Sequence, residues 1–313
     1  MDHEGMARVE PTPTPVVVLD GGLSTALEQQ GADIRGDLWT ARLLVDAPER
    51  IAAAHRAYFA AGAQVATTAS YQASVEGFVA AGCTEAEARR LITRSVTLAQ
   101  EVRDEFANTG SRPRVAASVG PYGAFLADGS EYRGNYGVPR TRLRDFHRRR
   151  LDLLASAQPD LIAVETIPDV VEAEVLVELL DELDVPAWFS YSVRGSTTSA
   201  GQPLDAAYAA LAGSRAIMFV GVNCSAQHDV LGAIQAAVAA TGRPAVAYPN
   251  RGGSWDNRAQ RWVYGDPIDL DLVETWIAAG AQCVGGCCGT GPADIAALAT
   301  RVAQLAPPAR AIE

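Results

Sequence analysis

Short apolar segments alternate with longer amphipathic ones along almost the whole chain. Eight of the short segments are nearly continuous runs of apolar residues, which is typical of strands buried on both faces of a parallel sheet. These runs lie at 16–21, 63–69, 114–120, 160–166, 187–193, 216–224, 244–250 and 281–287. The pattern therefore predicts eight strands, most of them followed by a helical segment.

The segments between the strands show helical periodicity. Residues 84–106 begin with Thr84 and Glu87, the spacing of a capping box, and then place apolar residues on one face. The same kind of pattern predicts three further helices, over 169–183, 229–242 and 292–305.

Repeated strand–helix units without a change in composition predict an α/β protein built as a single (β/α)8 barrel. An open, doubly wound sheet is the alternative, because a strand count from pattern can err by one or two. Residues 15–313 are assigned to the barrel domain, and the proline-rich residues 1–14 are expected to be a disordered tail. The longest connections, 22–47 and 121–140, are expected on the face that carries the active site.

Composition and charge narrow the class of protein. The chain of 313 residues is 48% hydrophobic and 20% charged, which is typical of a globular protein. A formal net charge of −11 argues against a nucleic-acid partner, and no apolar run is long enough to cross a membrane. Five cysteines, an odd number, without a visible signal peptide predict a reducing, cytoplasmic location. The basic run "RTRLRDFHRRR" at 140–150 is interpreted as a solvent-facing helix surface.

Three cysteines follow predicted strands. Cys224 ends the sixth strand, and the adjacent pair Cys287 and Cys288 ends the eighth. Both ends open on the same face of a barrel, so these thiols can converge there. Three thiolates with one open position can hold a catalytic zinc ion. The alternative is buried structural thiols, which is the interpretation preferred for Cys83 and Cys283.

Two carboxylates also follow strands. Asp20 ends the first strand and is followed by Gly21, and Glu165 ends the fourth strand. A carboxylate that faces a pocket suits a substrate ammonium group, whereas an isolated one could simply cap the next helix. No Ser–His–Asp arrangement or histidine–metal spacing is present among the four histidines.

Several longer motifs resemble the homocysteine S-methyltransferases. They are "LDGGLSTALEQQG", "LWTARLL", "TTASYQAS", "GPYGAFLADGSEYRGNYG", "VETIPD", "GVNCS", "YPN" and "GGCC", and they cover nearly the whole chain in the family's order. The resemblance implies a zinc-dependent barrel that methylates homocysteine to methionine. It implies that Cys224, Cys287 and Cys288 are the Zn²⁺ ligands and catalytic centre. It further implies that Asp20, Gly21, Glu165 and Asn223 bind the substrate.

The loop 120–134 is most similar to the stand-alone branch of this family, which uses S-methylmethionine or S-adenosylmethionine. The long arm of the betaine-using enzymes and the extra modules of the cobalamin-dependent ones are not seen in this sequence. Aromatic residues in or near the long loops could shelter a sulfonium by cation–π contact, although core packing or loop anchoring is the preferred interpretation for any single one: Trp39, Tyr71, Tyr122, Phe125 and Tyr132. The expected partners are small-molecule substrates, with neither nucleic acid nor membrane, and the chain is expected to be a monomer or small homo-oligomer.

Other functions are open at this point. A related methyltransferase could use betaine or act on selenocysteine. A metal-free barrel lyase or aldolase could use the strand-end carboxylates, although no candidate Schiff-base lysine ends a strand. A zinc-storage or thiol-sensing protein could use the cysteine pair, but it would leave the acidic strand ends unexplained.

Overall fold

The structure, a computed structural model, describes most of the predicted barrel. The described residues are 15–34, 38–107, 112–183, 185–256 and 261–305. The predicted tail, residues 1–14, lies outside them, and so does the side chain of Trp39.

Eight parallel strands form a closed ring. They are β1 (Val17–Val18), β2 (Val65–Thr67), β3 (Arg114–Val119), β4 (Leu161–Ile167), β5 (Ala187–Tyr191), β6 (Ile217–Asn223), β7 (Ala245–Tyr248) and β8 (Ala281–Val284). Each of β2 to β7 pairs in parallel with the next strand in the chain, and β8 pairs with β1. A parallel bridge between Leu19 and Val65 joins β1 to β2 and completes the ring. The (β/α)8 prediction is confirmed, and the open-sheet alternative is wrong.

Twelve α-helices surround the described part of the barrel. They are α1 (Leu23–Gln29), α2 (Leu43–Asp46), α3 (Pro48–Ala60), α4 (Val75–Ala80), α5 (Glu85–Glu105), α6 (Tyr122–Leu126), α7 (Arg140–Ser156), α8 (Val170–Glu182), α9 (Leu204–Ala209), α10 (Gln227–Thr241), α11 (Leu270–Ala278) and α12 (Pro292–Leu305). Two 3-10 helices, Trp39–Arg42 and Ser130–Tyr132, and two hairpins, Val193–Arg194 with Thr197–Thr198 and Gly253–Asp256 with Arg261–Tyr264, lie in the loops.

The capping box predicted at Thr84 is present at the start of α5. The Thr84 hydroxyl accepts a hydrogen bond from the Glu87 backbone N–H at 3.3 Å. The Glu87 carboxylate accepts one from the Thr84 backbone N–H at 2.8 Å. Two N–H groups that a helix start leaves unpaired are thereby satisfied, which explains why α5 begins there.

The alternation of side chains along each strand divides the core into two layers. In β4 every residue is buried. Leu161 and Ala163 point into the barrel and pack with residues of the other strands, while Ile162 and Val164 pack outward against the helices. Two-sided burial is the physical reason that these strands read as continuous apolar runs.

The inward-facing rows change from apolar to polar toward the carboxyl ends of the strands. In β4, for example, the inward positions are Leu161, Ala163 and then Glu165. In β3, Ala116 is followed at the next inward position by Ser118. The last inward residues in six strands are Thr67, Ser118, Glu165, Ser190, Asn223 and Tyr248. The barrel therefore has an apolar interior below a polar mouth.

The basic run on α7 has two different faces. One face forms a ladder of ion pairs with α8, in which Arg140, Arg144 and Arg148 meet Glu174, Glu178 and Glu182. Arg150, on another face, is 1% exposed and donates to the carbonyls of Ser70, Tyr71 and Gly120. The prediction of a solvent-facing surface is therefore wrong for Arg150, because loop carbonyls need a buried donor there. No helix in the described part of the chain has the length and apolar character needed to cross a membrane.

Candidate active site

A cavity of about 1260 Å³ opens where the strands end. Six of the seven residues predicted for the site line it: Asp20, Gly21, Glu165, Cys224, Cys287 and Cys288. Residues that are far apart in sequence therefore meet on one face, as expected for the carboxyl-terminal face of a barrel. The seventh residue, Asn223, lies directly beneath the cavity and is fully buried.

The three predicted thiols form one cluster. The Sγ atoms of Cys224 and Cys288 are 3.7 Å apart, those of Cys287 and Cys288 are 4.0 Å apart, and all three lie within 4.8 Å of one another. Cys83 and Cys283 do not belong to the cluster. The cluster has the residue types and spacing that could hold a metal ion.

Hydrogen bonds from two backbone N–H groups tie the loop of the cysteine pair to the loop after β7. The backbone N–H of Cys287 donates to the Pro249 carbonyl at 2.8 Å, and that of Cys288 donates to Asn250 Oδ1 at 3.2 Å. Cys224 itself has a left-handed backbone, with φ of +49°, at the residue after β6. This turn interrupts the strand alternation and aims the thiol toward the cysteine pair.

The thiols influence one another's ionisation. Hydrogen bonds from Cys287 and Cys288 hold the pKa of Cys224 well below its ordinary value. The contact with Cys224 is the main reason that the pKa values of Cys287 and Cys288 lie well above their ordinary values. One thiolate is therefore favoured and further ones are not, because like charges would lie side by side. A bound cation would allow all three thiols to ionise.

Asp20 and Glu165 form a buried acidic pair in the same cavity. Asp20 accepts hydrogen bonds from the Thr67 backbone N–H at 2.7 Å and from its hydroxyl at 2.8 Å. Glu165 accepts from the Ser118 hydroxyl and from Tyr248. Burial is the main reason that the pKa of Asp20 rises to about 8 and that of Glu165 to about 7. Each buried carboxyl group is costly to ionise without a positive charge beside it, so the pair favours a cationic ligand.

The side chain of Asn223 holds the backbone next to Glu165 in place by hydrogen bonds to Thr166. Its Oδ1 accepts from the Thr166 backbone N–H at 2.7 Å and from the Ser190 hydroxyl at 2.9 Å, and its Nδ2 donates to Thr166 Oγ1 at 2.8 Å. Thr166 has a left-handed φ of +61°, and the pairing of β4 with β5 shifts register there. The Asn223 amide thus stabilises the irregularity that follows Glu165, and both its oxygen and its nitrogen hydrogen-bond to protein groups.

The glycine pair after Asp20 permits close packing beneath the thiols. A Cβ on Gly21 would lie 2.4 Å from the Thr290 carbonyl oxygen, and one on Gly22 would lie 2.6 Å from the Cys287 carbonyl oxygen. No side chain fits at either position without moving the backbone. The end of β1 can therefore lie directly against the cysteine loop.

The aromatic residues predicted to face a sulfonium divide into two groups. Tyr71 and Tyr132 line the cavity, and the Tyr132 hydroxyl is 3.3 Å from Cys224 Sγ. Tyr122 and Phe125 instead pack against Phe146, with ring centroids 4.9 and 5.2 Å away. The prediction that these two rings face a donor is wrong, because α6 turns its apolar face into the helix layer.

Sequence reasoning missed several polar residues at the mouth of the barrel. Thr67, Ser118 and Tyr248 contact the acidic pair, and Glu131 lines the cavity. The first three lie two residues after inward apolar positions, so strand periodicity could have identified them. Glu131 lies in a loop and has no periodic signal.

Fold and site together define a (β/α)8-barrel protein with a candidate three-cysteine metal centre at the carboxyl ends of β6 and β8. The sequence profile of the homocysteine S-methyltransferase family matches residues 17–302. The chain therefore belongs to this family and is a methyltransferase. The lyase and storage alternatives are wrong.

Individual relatives match over most of their length. A Zea mays protein named homocysteine S-methyltransferase 4 is 44% identical, with 92% of this chain and 89% of that protein covered. The homocysteine S-methyltransferase YbgG of Bacillus subtilis is 43% identical, with 93% and 96% covered. The metallated form of the Escherichia coli homocysteine methyltransferase MmuM has a TM-score of 0.83 and 42% identity, with 92% of this chain and 96% of that chain covered.

Proposed function

We propose that this protein is a zinc-dependent homocysteine S-methyltransferase that takes a methyl group from a sulfonium and produces methionine. The observation that carries the proposal is the meeting of the thiol cluster with the Asp20–Glu165 pair in one cavity. The names of the relatives support homocysteine as the acceptor. The likeness to the metallated MmuM structure supports a metal at the cysteines.

The donor set suits zinc. Tetrahedral zinc–thiolate bonds of about 2.3 Å separate two sulfur atoms by about 3.8 Å. The Sγ distances of 3.7 and 4.0 Å agree with that spacing. Cys224, Cys287 and Cys288 would hold the ion, and when bound it would supply a fourth position at which the homocysteine thiol becomes a thiolate at neutral pH.

The acidic pair is suited to the other end of homocysteine. An ammonium group between Asp20 and Glu165 would compensate the charges that burial disfavours, so both carboxylates would ionise on binding. We propose that Gly21 gives the substrate close access to the backbone at the end of β1. We assign Asn223 a positioning role, because its amide is used to hold the backbone next to Glu165.

The transfer itself needs alignment more than acid–base chemistry. The homocysteine sulfur supplies an electron pair to the methyl carbon, a new S–C bond forms, and the S–C bond of the donor breaks. The electron pair of the broken bond stays on the donor sulfur, which leaves as a neutral thioether. No proton moves at the reacting methyl group, so the protein's contribution is to hold the two sulfur atoms in line and to exclude water.

The charge of the cavity supports a cationic donor. Six carboxylates line it, against one arginine and one histidine. They are Asp20, Glu28, Asp33, Glu131, Glu165 and Asp229, with Arg194 and His228. The faces of Tyr71 and Tyr132 add a further preference for a cation. We propose S-methylmethionine as the preferred donor and S-adenosylmethionine as the second.

We further propose that residues 15–313 act as one catalytic domain on small molecules alone. A cluster of three reduced thiols requires a reducing compartment such as the cytoplasm.

The test measures bound zinc per chain together with methionine formation. Homocysteine is offered with S-methylmethionine, S-adenosylmethionine, betaine and methylcobalamin at equal concentrations. We expect about one zinc per chain and the fastest turnover with S-methylmethionine. Cys224→Ala should lose both zinc and activity, because two thiolates hold the ion poorly.

Cys283→Ala is the matched control, since that thiol is buried in β8 outside the cluster and should leave zinc and turnover intact. Full zinc retention in Cys224→Ala would refute the three-thiolate site. Faster turnover with betaine would refute the sulfonium donor while leaving the zinc site standing.

A further inference from the structure

The loop after β3, residues 120–139, presents two neighbouring side chains to the cavity. Glu131 and Tyr132 both line it, and the Tyr132 hydroxyl lies 3.3 Å from Cys224 Sγ. Glu131 is therefore a carboxylate one residue away from a group in contact with the thiol cluster. The amino-acid site proposed for homocysteine does not use it.

This loop is anchored to the start of α8. The Tyr122 backbone N–H donates to Glu172 Oε1 at 2.5 Å, and the Tyr136 hydroxyl donates to Glu172 Oε2 at 2.8 Å. The Asn135 backbone N–H donates to Asp169 Oδ2 at 3.1 Å. Glu172 is completely buried, so these bonds are shielded from water. Both ends of the loop are held in place.

The backbone of Glu131 is held as closely. A Cβ on Gly123 would lie 2.4 Å from the Glu131 backbone nitrogen, so α6 packs directly against the 3-10 helix Ser130–Tyr132. Only glycine permits this approach. Glu131 thus has a defined position at the cavity wall, unlike an acidic residue on a free surface loop.

One oxygen of the Glu131 carboxylate, Oε2, is buried, and no group among the described residues donates a hydrogen bond to it. The nearby Arg133 lies instead beside Asp128, at 3.9 Å, where both side chains are mostly exposed. Burial raises the pKa of Glu131 and the negative charge of Cys224 adds to the rise, while its own backbone N–H and the more distant Arg133 offset only part of it. A cation in the cavity would remove this penalty.

We propose that Glu131, together with the rings of Tyr71 and Tyr132, forms the subsite that binds the positive charge of the methyl donor. This inference rests on the proposed function and assigns the donor a site separate from the Asp20–Glu165 pair. Tyr71 lines the same cavity as Glu131 and Tyr132. Two aromatic faces and one carboxylate can thus surround a sulfonium beside the thiol cluster.

The chemistry of the step predicts which kinetic parameter depends on Glu131. The sulfonium loses its charge as its S–CH₃ bond breaks, so the carboxylate stabilises the bound donor more than the transition state. Such an interaction strengthens donor binding without accelerating the chemical step. The thioether product is neutral, so the Glu131 carboxylate does not bind it in this way. Removal of the charge should therefore raise the KM of the donor and leave kcat equal or higher.

The experiment compares Glu131→Gln with the wild-type enzyme, both loaded with zinc. Calorimetry in the absence of homocysteine measures the Kd of S-methylmethionine and of methionine, its neutral counterpart. We expect Glu131→Gln to weaken S-methylmethionine binding about tenfold, the loss typical of a charged contact. Methionine binding, homocysteine KM and zinc content should not change. Asp128→Asn is the matched control, because it removes a charge from the same loop outside the cavity and keeps the oxygen that accepts from the Ser130 N–H.

The outcomes separate the subsite from the function on which it rests. Equal weakening of methionine and S-methylmethionine, or equal weakening in Asp128→Asn, would overturn the assignment of Glu131. Unchanged S-methylmethionine binding in Glu131→Gln, beside a wild-type enzyme that uses this donor, would overturn it too. A wild-type enzyme that transfers a methyl group from no sulfonium would contradict the proposed donor and the subsite together.

Discussion

At the scale of single residues, Glu165 shows how position changes the chemistry of a carboxyl group. It is 8% exposed and is held by the Ser118 hydroxyl at the mouth of the barrel. Burial raises its pKa to about 7, so its charge near neutral pH depends on what lies beside it. A substrate ammonium group would complete the ionisation, so recognition and charge are coupled.

The substitution Glu165→Gln tests this coupling. The variant keeps the shape of the side chain but cannot form an ion pair. We expect it to retain zinc and to raise the KM of homocysteine by about 10- to 100-fold, since a charged hydrogen bond contributes about 1.5–3 kcal/mol. Asp229→Asn serves as the control, because Asp229 lines the same cavity but lies beside His228, 3.5 Å away. An unchanged homocysteine KM in Glu165→Gln would refute the role.

At the scale of elements, the loops that carry the thiols depend on the close approach of β6 and β7. Gly221 in β6 pairs with Val246 in β7, and a Cβ on Gly221 would lie 1.9 Å from the Val246 carbonyl oxygen. The two backbones must therefore separate to admit any side chain. Cys224 follows β6 by one residue, so such a shift would also move a candidate metal ligand.

We expect Gly221→Ala to lower the free energy of unfolding by about 1–3 kcal/mol or more, as overpacked cores do. Gly232→Ala provides the matched comparison. Gly232 is an exposed position within α10 that has no atom within 4 Å of an added Cβ, so the same change should raise stability by about 0.4–1 kcal/mol. Thermal or urea unfolding measures both. Equal stability of the two variants would show that β6 can move away from β7 at little energetic cost.

At the scale of the whole molecule, the acidic pair links stability to pH. The pKa values of Asp20 and Glu165, about 8 and about 7, lie above those of unfolded carboxyl groups. The folded protein therefore binds more protons than the unfolded chain between about pH 4 and pH 8. The stabilisation from these protonated groups is complete below pH 4 and is lost as the pH rises through 7 and 8.

The zinc-free protein should accordingly lose stability between pH 5 and pH 8 more steeply than the Asp20→Asn, Glu165→Gln double variant. The expected difference in the free energy of unfolding is on the order of 6 kcal/mol across that range, since both carboxyl groups contribute. Urea unfolding of both proteins in reducing buffer, at several pH values, measures it. All other titratable groups are the same in the two proteins, so their effect on stability drops out of the difference. Parallel pH profiles would mean that both carboxyls are already ionised in the empty cavity.

The sequence by itself determined the architecture. Strands buried on both faces must be apolar throughout, so their number and order could be read directly, and α12 was predicted with the observed bounds of 292–305. The positions of the candidate thiols also followed, because the ends of barrel strands share one face. The motifs that resemble the homocysteine S-methyltransferases identified the family. The strand patterns and the family motifs are local, because each one lies within a single short segment of the sequence.

Only the tertiary structure decided how the site is held. Cys224 and Cys288 are 64 residues apart, and the left-handed turn at Cys224 that brings them to 3.7 Å has no signal in the surrounding sequence. Nor does local sequence show that Tyr122 faces Phe146 or that Glu131 Oε2 is buried without a hydrogen-bond partner among the described residues. Such features depend on which distant groups occupy the neighbouring space, and that is settled when strands and helices pack together.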